Sequence, residues 1–327
     1  MKISLWPVTV AAVVLFGAQT ALAETHVLVA RYALSVAVLL IAAVGAQRTS
    51  GRSWRATLSR APEPVALALA ALAGLSVWAP AWWLMDACNY ALERTVGLLS
   101  LPLAVIDVRE RWLGVELQPL AYELGVFFAT LIVPLLMAWL LWGLAQPALE
   151  GALGRRRAAW LAGGVGGAFW ALIAVQGVAP ALPWGLAALP GYVLIALVAA
   201  HMVALTGSLW AGFAAQFVFA YASFAWRDDL FRAFAGKSYA DPAWLTVLVL
   251  GAFGVFFFAQ VIRARTPRPP EPARMAAERR AWWALALLLA AVIALAAWDV
   301  HTRQSERLTS AAALPPTAPA VPTPPTP

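Results

Sequence analysis

The stretch Pro134–Glu150, PLLMAWLLWGLAQPALE, decides the fold of this 327-residue chain. No charged residue occurs in it before Glu150, and most of it belongs to a longer, largely apolar segment, 118–147. About 20 apolar residues suffice for a helix to cross a bilayer. The stretch therefore predicts a membrane-spanning helix, and the rest of the chain has the same character.

The composition excludes an ordinary soluble domain. The chain is 62% hydrophobic and 12% charged, with a mean hydropathy of +0.76. Soluble domains are about half apolar and about a quarter charged. We predict an all-α, polytopic membrane bundle whose surrounding partner is the lipid bilayer. The net charge of +7 lies mainly in short loops between apolar runs, so we expect no nucleic-acid partner.

Three basic clusters give the orientation. Short loops rich in arginine stay on the cytoplasmic side of a membrane. The clusters are Arg48, Arg52, Arg55 and Arg60; Arg155, Arg156 and Arg157; and Arg263, Arg265, Arg268, Arg274, Arg279 and Arg280. We expect all three in the cytoplasm of a bacterial cell, with the protein in the inner membrane and its C-terminal tail outside.

About nine spans satisfy this orientation. They are predicted at 6–23, 27–46, 64–86, 118–147, 158–179, 187–205, 208–226, 243–262 and 281–298. The run at 95–108 must then not cross, and we expect it to be interfacial or re-entrant. Residues 1–23 also fit a signal peptide that ends in an A-x-A site, and both readings stay open.

This pattern divides the chain into five regions. They are an N-terminal pair of spans with a basic loop, 1–62; a third span with an outer segment, 63–116; a core, 117–226; two additional spans, 227–298; and a tail, 299–327, rich in Pro, Ala and Thr. Such a tail lacks the apolar residues that a packed core requires.

Two stretches of the core resemble the CPBP family of intramembrane proteases, named for CAAX and bacteriocin processing. The opening stretch resembles that family's P-L-A-E-E-L-L-F-R-G-L-L-L-P-A-L-E, and TGSLWA, at 206–211, resembles the start of its T-G-S-L-W-A-P-I-L-A-H-x-x-x-N helix. The resemblance covers about Leu117–Trp226 and implies the fold of an intramembrane metalloprotease.

The same resemblance shows that the catalytic side chains are missing. The family's E-E-x-x-x-R falls on Met137, Ala138 and Trp142, and its H-x-x-x-N falls on Gln216 and Ala220. Its F-x-x-x-H falls on Gly166 and Trp170, or on Phe169 and Ile173 in a shifted register. We therefore expect no catalytic residue of the family type, no metal and no cofactor, and a closed, dry core.

Three polar residues remain as low-ranking functional candidates. Glu123 precedes the motif helix, His201 is the one histidine in a predicted span, and Cys88 is the one cysteine. Different predicted depths argue against a dyad of Glu123 and His201. A thiol near the outer face is the position that a sortase-like nucleophile would take. Each residue also has a structural explanation, as an interfacial acid, a hydrogen-bonded imidazole and an inert packed thiol respectively.

The sequence thus favours a degenerate CPBP-type protein that binds a membrane-protein partner or a substrate segment. The alternative is an active intramembrane endopeptidase or sortase-like enzyme that uses other residues. Close glycines at Gly163 and Gly167 allow tight helix packing, either inside the bundle or against a partner helix. A transporter would need polar residues along a path through the spans, and the sequence offers few.

Overall fold

The computed structural model describes residues 28–50, 62–96, 126–174, 181–235 and 237–265, together with 10, 57–58, 111–112 and 115–116. Helix α1 is Leu28–Ser50 and helix α2 is Pro64–Val96. Strands β1, Arg111–Trp112, and β2, Val115–Glu116, form a short antiparallel ladder. Apart from this ladder, the described elements are helices, as predicted.

Helix α3 is a continuous run from Phe128 to Leu153 that alternates between α and π geometry. Its segments are π at Phe128–Ile132, α at Val133–Met137, π at Ala138–Ala145 and α at Gln146–Leu153. A π turn closes its hydrogen bond over one more residue than an α turn, and π turns are frequent at functional sites. The opening stretch therefore forms a helix, with local geometry that the apolar pattern did not indicate.

Four more helices complete the described bundle. They are α4, Arg155–Ala174; α5, Ala181–Thr206; α6, Leu209–Ala233; and α7, Pro242–Arg265. Helix α5 packs along α4, and α2 packs against α5, α6 and α7. The central position of α2 makes the third predicted span part of the core rather than an addition to it.

Two turns between the helices depend on glycine. Gly154, between α3 and α4, has a φ of 79°, and Gly207, between α5 and α6, has a φ of 69°. Residues with a Cβ rarely adopt these left-handed conformations. Ser208 then caps α6, because its hydroxyl oxygen accepts a hydrogen bond from Trp210 N at 3.3 Å. Within TGSLW, Thr206 is thus the last residue of α5, Gly207 makes the turn, and Ser208 is the N-cap of α6.

The close glycines of α4 serve packing inside the bundle. A Cβ on Gly163 would lie 2.8 Å from Leu197 Cα, and one on Gly167 would lie 2.6 Å from Val193 N. Both neighbours belong to α5, so the backbones of α4 and α5 touch. A Cβ on Gly164 would meet nothing within 4 Å. The sequence left open whether this motif packs inside the bundle or against a partner helix. These contacts show that it packs inside the bundle.

Contacts between helices also fix their directions. Gly74 of α2 lies against Ala215 of α6, and Trp82 Nε1 donates to Ser223 Oγ at 2.9 Å, so α2 and α6 are parallel. In both pairs the residue numbers differ by the same amount, as two parallel helices of equal rise require. Helices α4 and α5 are antiparallel, and short turns join α3 to α4 and α5 to α6.

The basic clusters meet at one end of the bundle. The α3–α4 turn, with Arg155–Arg157, and the α5–α6 turn lie at this end. Trp210 Nε1, at the start of α6, donates to Leu58 O at 2.7 Å, which brings the first basic loop there too. Arg263 lies in the last turn of α7. Helix α7 is antiparallel to α2, because Gly251 lies against Pro80 and Ser76 and the later Gly254 lies against Ser76 alone of the two. We call this the basic end.

Helix α2 ends, and helix α3 begins, at the end of the bundle opposite the basic end. The chain between them therefore returns to the side that it left. This agrees with the prediction that 95–108 makes no net crossing. Residues 97–108 themselves lie outside the described part of the chain.

Five described helices are long and apolar enough to span a membrane. Their candidate spans are Pro64–Leu92, Phe128–Gly151, Ala187–Thr206, Leu209–Arg227 and Pro242–Arg265. The described apolar part of α1 is shorter, at Val36–Ser50, and α4 is described only to Ala174. The spans expected at 6–23 and 281–298 fall outside the described residues, apart from residue 10, as does the tail at 299–327. The described part of the chain is therefore a helical bundle in which five helices could span a membrane, and nine spans remain a prediction.

Candidate functional site

Trp142 is the centre of the region where the family's catalytic residues would lie. It belongs to the second π segment of α3, and 1% of its surface is exposed. Its Nε1 donates to Gln216 Oε1 of α6 at 3.2 Å. The two residues are 74 positions apart and correspond to the motif arginine and a motif histidine. The fold therefore brings Trp142 into direct contact with Gln216, on another helix.

Glycines make room for the indole of Trp142. A Cβ on Gly166 of α4 would lie 2.9 Å from Trp142 Cη2, and one on Gly212 of α6 would lie 2.7 Å from Trp142 Cδ1. Gly166 is the motif phenylalanine position in the gapless register. The missing side chain at Gly166 and the large one at Trp142 are therefore complementary, which favours that register.

Trp170 fills the neighbouring volume with an aromatic cluster. Its ring centroid lies 5.5 Å from that of Phe219 on α6 and 5.2 Å from that of Tyr192 on α5. Edge-to-face and offset arrangements at such distances are favourable. Ala220, which follows Phe219, is buried. The motif positions on α4 and α6 are thus occupied by apolar packing.

The positions of the two motif glutamates are equally closed. Met137 and Ala138 are fully buried and lie where α3 changes from α to π geometry. Every residue of the π segment Ala138–Ala145 is buried. These positions are enclosed by protein, as the prediction of a closed core requires.

Gln216 carries a buried polar atom of this core that no described residue satisfies. Its side chain is fully buried, and its Nε2 has no hydrogen-bond partner among the described residues. A buried polar group without a partner costs roughly 1–3 kcal/mol. The amide is thus held through Oε1 alone, by the indole of Trp142.

Two further glutamines connect α3 to its neighbours, and the sequence analysis missed both. Gln146 Nε2 donates to Ala200 O at 3.0 Å and to Glu150 Oε1 at 3.2 Å. Trp139 Nε1 donates to Gln47 Oε1 at 3.3 Å. A glutamine inside an apolar run was the available signal, because an amide in a membrane must find a partner.

The Glu150 carboxylate has a structural role. It accepts from Gln146, and its Oε2 lies 3.9 Å from Arg155 Nε. The sequence predicted an exposed ion pair here. The Glu150 side chain is only 13% exposed, since the α3–α4 turn covers it.

The three polar candidates do not assemble into a site. Glu123 lies outside the described residues, so a dyad with His201 is untested. His201 is exposed at the basic end, and its ring makes no hydrogen bond to a described residue, which differs from the hydrogen-bonded imidazole that we considered. Cys88 is a free, half-buried thiol near the opposite end of α2. The structure thus separates Cys88 from His201.

Cys88 does have polar neighbours in sequence. Tyr239 OH donates to Asp86 Oδ2 at 2.7 Å, and the rings of Tyr239 and Tyr90 lie 5.4 Å apart. These contacts tie the α6–α7 connection to the last turns of α2. Their geometry explains the acid at Asp86 as a structural acceptor.

Metal binding needs several donor side chains at one point. Within the described ranges, no group of three or more His, Cys, Asp and Glu residues could hold a metal ion. Comparison with family models, curated proteins and solved structures gives no match for this chain. The resemblance to the CPBP family therefore rests on the motifs in the sequence alone.

Proposed function

We propose that this chain is a non-catalytic, CPBP-like membrane protein that binds a membrane-embedded partner or substrate segment and does not cleave it. The observation that carries the proposal is the hydrogen bond between Trp142 and Gln216. It joins two positions where the resembled family has an arginine and a histidine. An indole and an amide at these positions supply neither a general base nor a metal ligand for hydrolysis.

The distribution of matching residues supports a retained frame. Gly154 and Gly207 have positive φ, and Ser208 caps a helix. These matches to the family motifs are turn and cap residues, whose identity the backbone requires. The differences are concentrated at buried, formerly polar positions. A chain under selection for its fold but not for hydrolysis would show this division.

The physical chemistry of the core supports a concerted loss of charge. Removing one member of a buried charged set leaves the others unpaired, at a cost of several kcal/mol. Here all of the motif's ionisable positions are neutral. Trp142 and Trp170 instead make dispersion and ring contacts across three helices, which stabilise a closed core.

The surface of α7 is the region that we assign to the partner. Only 17% of its span is buried in the bundle, against 67% for α3. The exposed side chains include Leu250, Phe253 and Phe256, and the rings of Phe253 and Phe257 stack 6.2 Å apart. A membrane-spanning helix of the partner would match this apolar, aromatic face.

The finer topology belongs to the same proposal. We propose nine spans in a bacterial inner membrane, with the basic end in the cytoplasm and the C-terminal tail outside. The convergence of Arg155–Arg157 and Arg263 at one end supports the cytoplasmic assignment through the positive-inside rule. Reporter fusions at Arg157 and at the C-terminus would test the two sides independently.

Affinity purification tests the binding role. A tagged chromosomal copy would be purified from native membranes in mild detergent, beside a variant with Leu250→Ala and Phe253→Ala. We expect one membrane protein near stoichiometry with the wild type and at least tenfold less with the variant. A partner that is recovered equally with both would contradict the α7 assignment.

A separate experiment, the search for uncleaved precursors in a deletion strain, tests the alternative that the protein is an enzyme. Deleting the protein would cause uncleaved precursors to accumulate if it were a peptidase, and a Cys88→Ala copy would fail to complement if the thiol were the nucleophile. We expect no precursor to accumulate. Accumulation that the wild-type copy reverses would overturn the non-catalytic proposal.

A further inference from the structure

At the basic end of the bundle, α5 carries a partly open face between α4 and α7. Helix α5 packs along the length of α4 and also contacts α7. Gly163 lies opposite Leu197, and Gly167 lies opposite Val193. Continuing this antiparallel register by one turn places His201 level with Ala159. Arg156 precedes Ala159 by three residues on α4, which corresponds to about 4.5 Å along the helix axis.

Two exposed arginines from different helices lie at the same end of the bundle as His201. Arg156 belongs to α4 and Arg263 to the last turn of α7, and both helices contact α5. Neither makes an ion pair with a described residue, whereas Arg155 is paired with Glu150. Positive charge that no described acid neutralises therefore lies beside the α5 face.

An apolar strip continues from the charged rim toward the middle of the bundle. Leu197 and Leu194 precede His201 by one and two turns on the same face of α5, and both are partly exposed. On α4, Trp160 follows Arg156 by one turn and is 60% exposed. Tryptophan is the side chain most typical of the headgroup level of a bilayer. The surface thus changes from cationic to apolar over about two helical turns.

We propose that this surface, formed by Arg156, Trp160, Leu194, His201 and Arg263, binds an anionic phospholipid. The phosphate would lie between the two guanidinium groups, which can each donate paired hydrogen bonds to its oxygens. One acyl chain would follow the leucines of α5. Basic pockets between membrane helices are known to take anionic headgroups in this way.

The apolar strip distinguishes a lipid from a free phosphate. Guanidinium groups would recognise either anion, but Leu194 and Leu197 add binding surface only for a molecule with an acyl chain. The proposal therefore concerns lipid. It is independent of whether the chain is catalytic.

Lipid binding to the purified full-length protein tests the assignment. Phosphatidylglycerol would be titrated into protein in a neutral detergent, and bound lipid would be counted by native mass spectrometry. The test variant is Arg156→Gln with Arg263→Gln. The matched control is Arg232→Gln with Lys237→Gln, which removes the same charge at the opposite end of the bundle. From the usual contribution of two basic residues near an anionic surface, we expect roughly 30-fold weaker binding in the test variant and no change in the control.

Three results would overturn the proposal. One is equal binding by the test and control variants. Another is binding of phosphatidylcholine as tight as that of phosphatidylglycerol. The third is full displacement of phosphatidylglycerol by millimolar inorganic phosphate, which would indicate a small-anion site. Arg156→Lys with Arg263→Lys retains the charge but loses the paired hydrogen bonds, so we expect its binding to be weaker than that of the wild type and tighter than that of the glutamine variant. Binding as weak as that of the glutamine variant would contradict the role of charge.

Discussion

Helices α3 and α7 have similar hydropathy but opposite relations to the bundle. Their spans have mean hydropathies of 2.1 and 2.4, yet 67% of the first and only 17% of the second is buried inside the protein. Helix α3 contacts its neighbours through polar pairs such as Trp142 with Gln216. Helix α7 presents large rings outward. Apolar composition alone therefore marks a candidate membrane helix, whereas contacts with other helices decide which of these helices is enclosed.

The enclosed region depends on backbone contact, so the largest expected effect is at Gly167. Gly167→Ala should lower the free energy of unfolding by about 3 kcal/mol, because its Cβ would overlap the backbone of α5 at Val193. Thermal or denaturant unfolding in detergent would measure the change.

Gly164 gives a matched control on the same helix. An added Cβ meets nothing there, so Gly164→Ala should leave stability unchanged or raise it by up to about 1 kcal/mol through helix propensity. Equal destabilisation by both variants would refute the packing of α4 against α5.

The polar pair in the core is expected to have the next largest effect. Trp142→Phe should destabilise the protein by about 2 kcal/mol, because it leaves Gln216 Oε1 buried without its donor. Gln216→Leu should cost a similar amount, since it orphans the indole N–H.

The double variant sharpens that comparison. Trp142→Phe with Gln216→Leu removes both members of the pair. We expect the loss of unfolding free energy in this double variant to be about 1–2 kcal/mol smaller than the sum of the losses in the two single variants. Strictly additive effects in the double-mutant cycle would mean that the hydrogen bond is not formed.

A smaller effect is expected at the turn between α5 and α6. Ser208→Ala should cost about 1 kcal/mol, because Trp210 N loses its capping acceptor. Ser238→Ala, in the exposed α6–α7 connection, is the control and should change the unfolding midpoint little. Equal unfolding midpoints for the two variants would show that the Ser208 hydroxyl does not stabilise the start of α6.

The smallest effect on stability is expected on α7. Leu250 and Phe253 are each 63% exposed, so replacing both with Ala should change the unfolding free energy by less than about 0.5 kcal/mol each. The same change should reduce partner recovery. Tyr221→Ala, at an exposed position of α6, should alter neither. A large loss of stability in the α7 variant would mean that this face packs inside the protein.

Sequence reasoning captured what depends on local pattern. Apolar runs predicted the helices, the basic clusters predicted a common end for Arg155–Arg157 and Arg263, and the close glycines predicted tight packing. Each of these follows from periodicity or from a short motif.

Features that depend on tertiary contact were beyond the sequence. The π geometry of Ala138–Ala145 arises in a uniformly apolar stretch that reads as an ordinary helix. Gln47 bonds to Trp139 and Gln146 bonds to Ala200 on other helices, so these two hydrogen bonds have no local signature. The exposure of His201 depends on how α7 is placed beside α5, and one span alone does not determine that.

The closed core around Met137 and Ala138 is the central claim, and thiol labelling tests it directly. Cys88 is the one cysteine of the chain, so Cys88→Ala provides a background into which Met137→Cys or Ala138→Cys is introduced, with Lys237→Cys as the exposed control. Labelling would use a small, water-soluble maleimide on protein in native membranes. We predict rapid labelling at position 237 and at least a hundredfold slower labelling at 137 and 138. Labelling of 137 or 138 at a rate close to that of 237 would show a water-filled cavity and contradict the account.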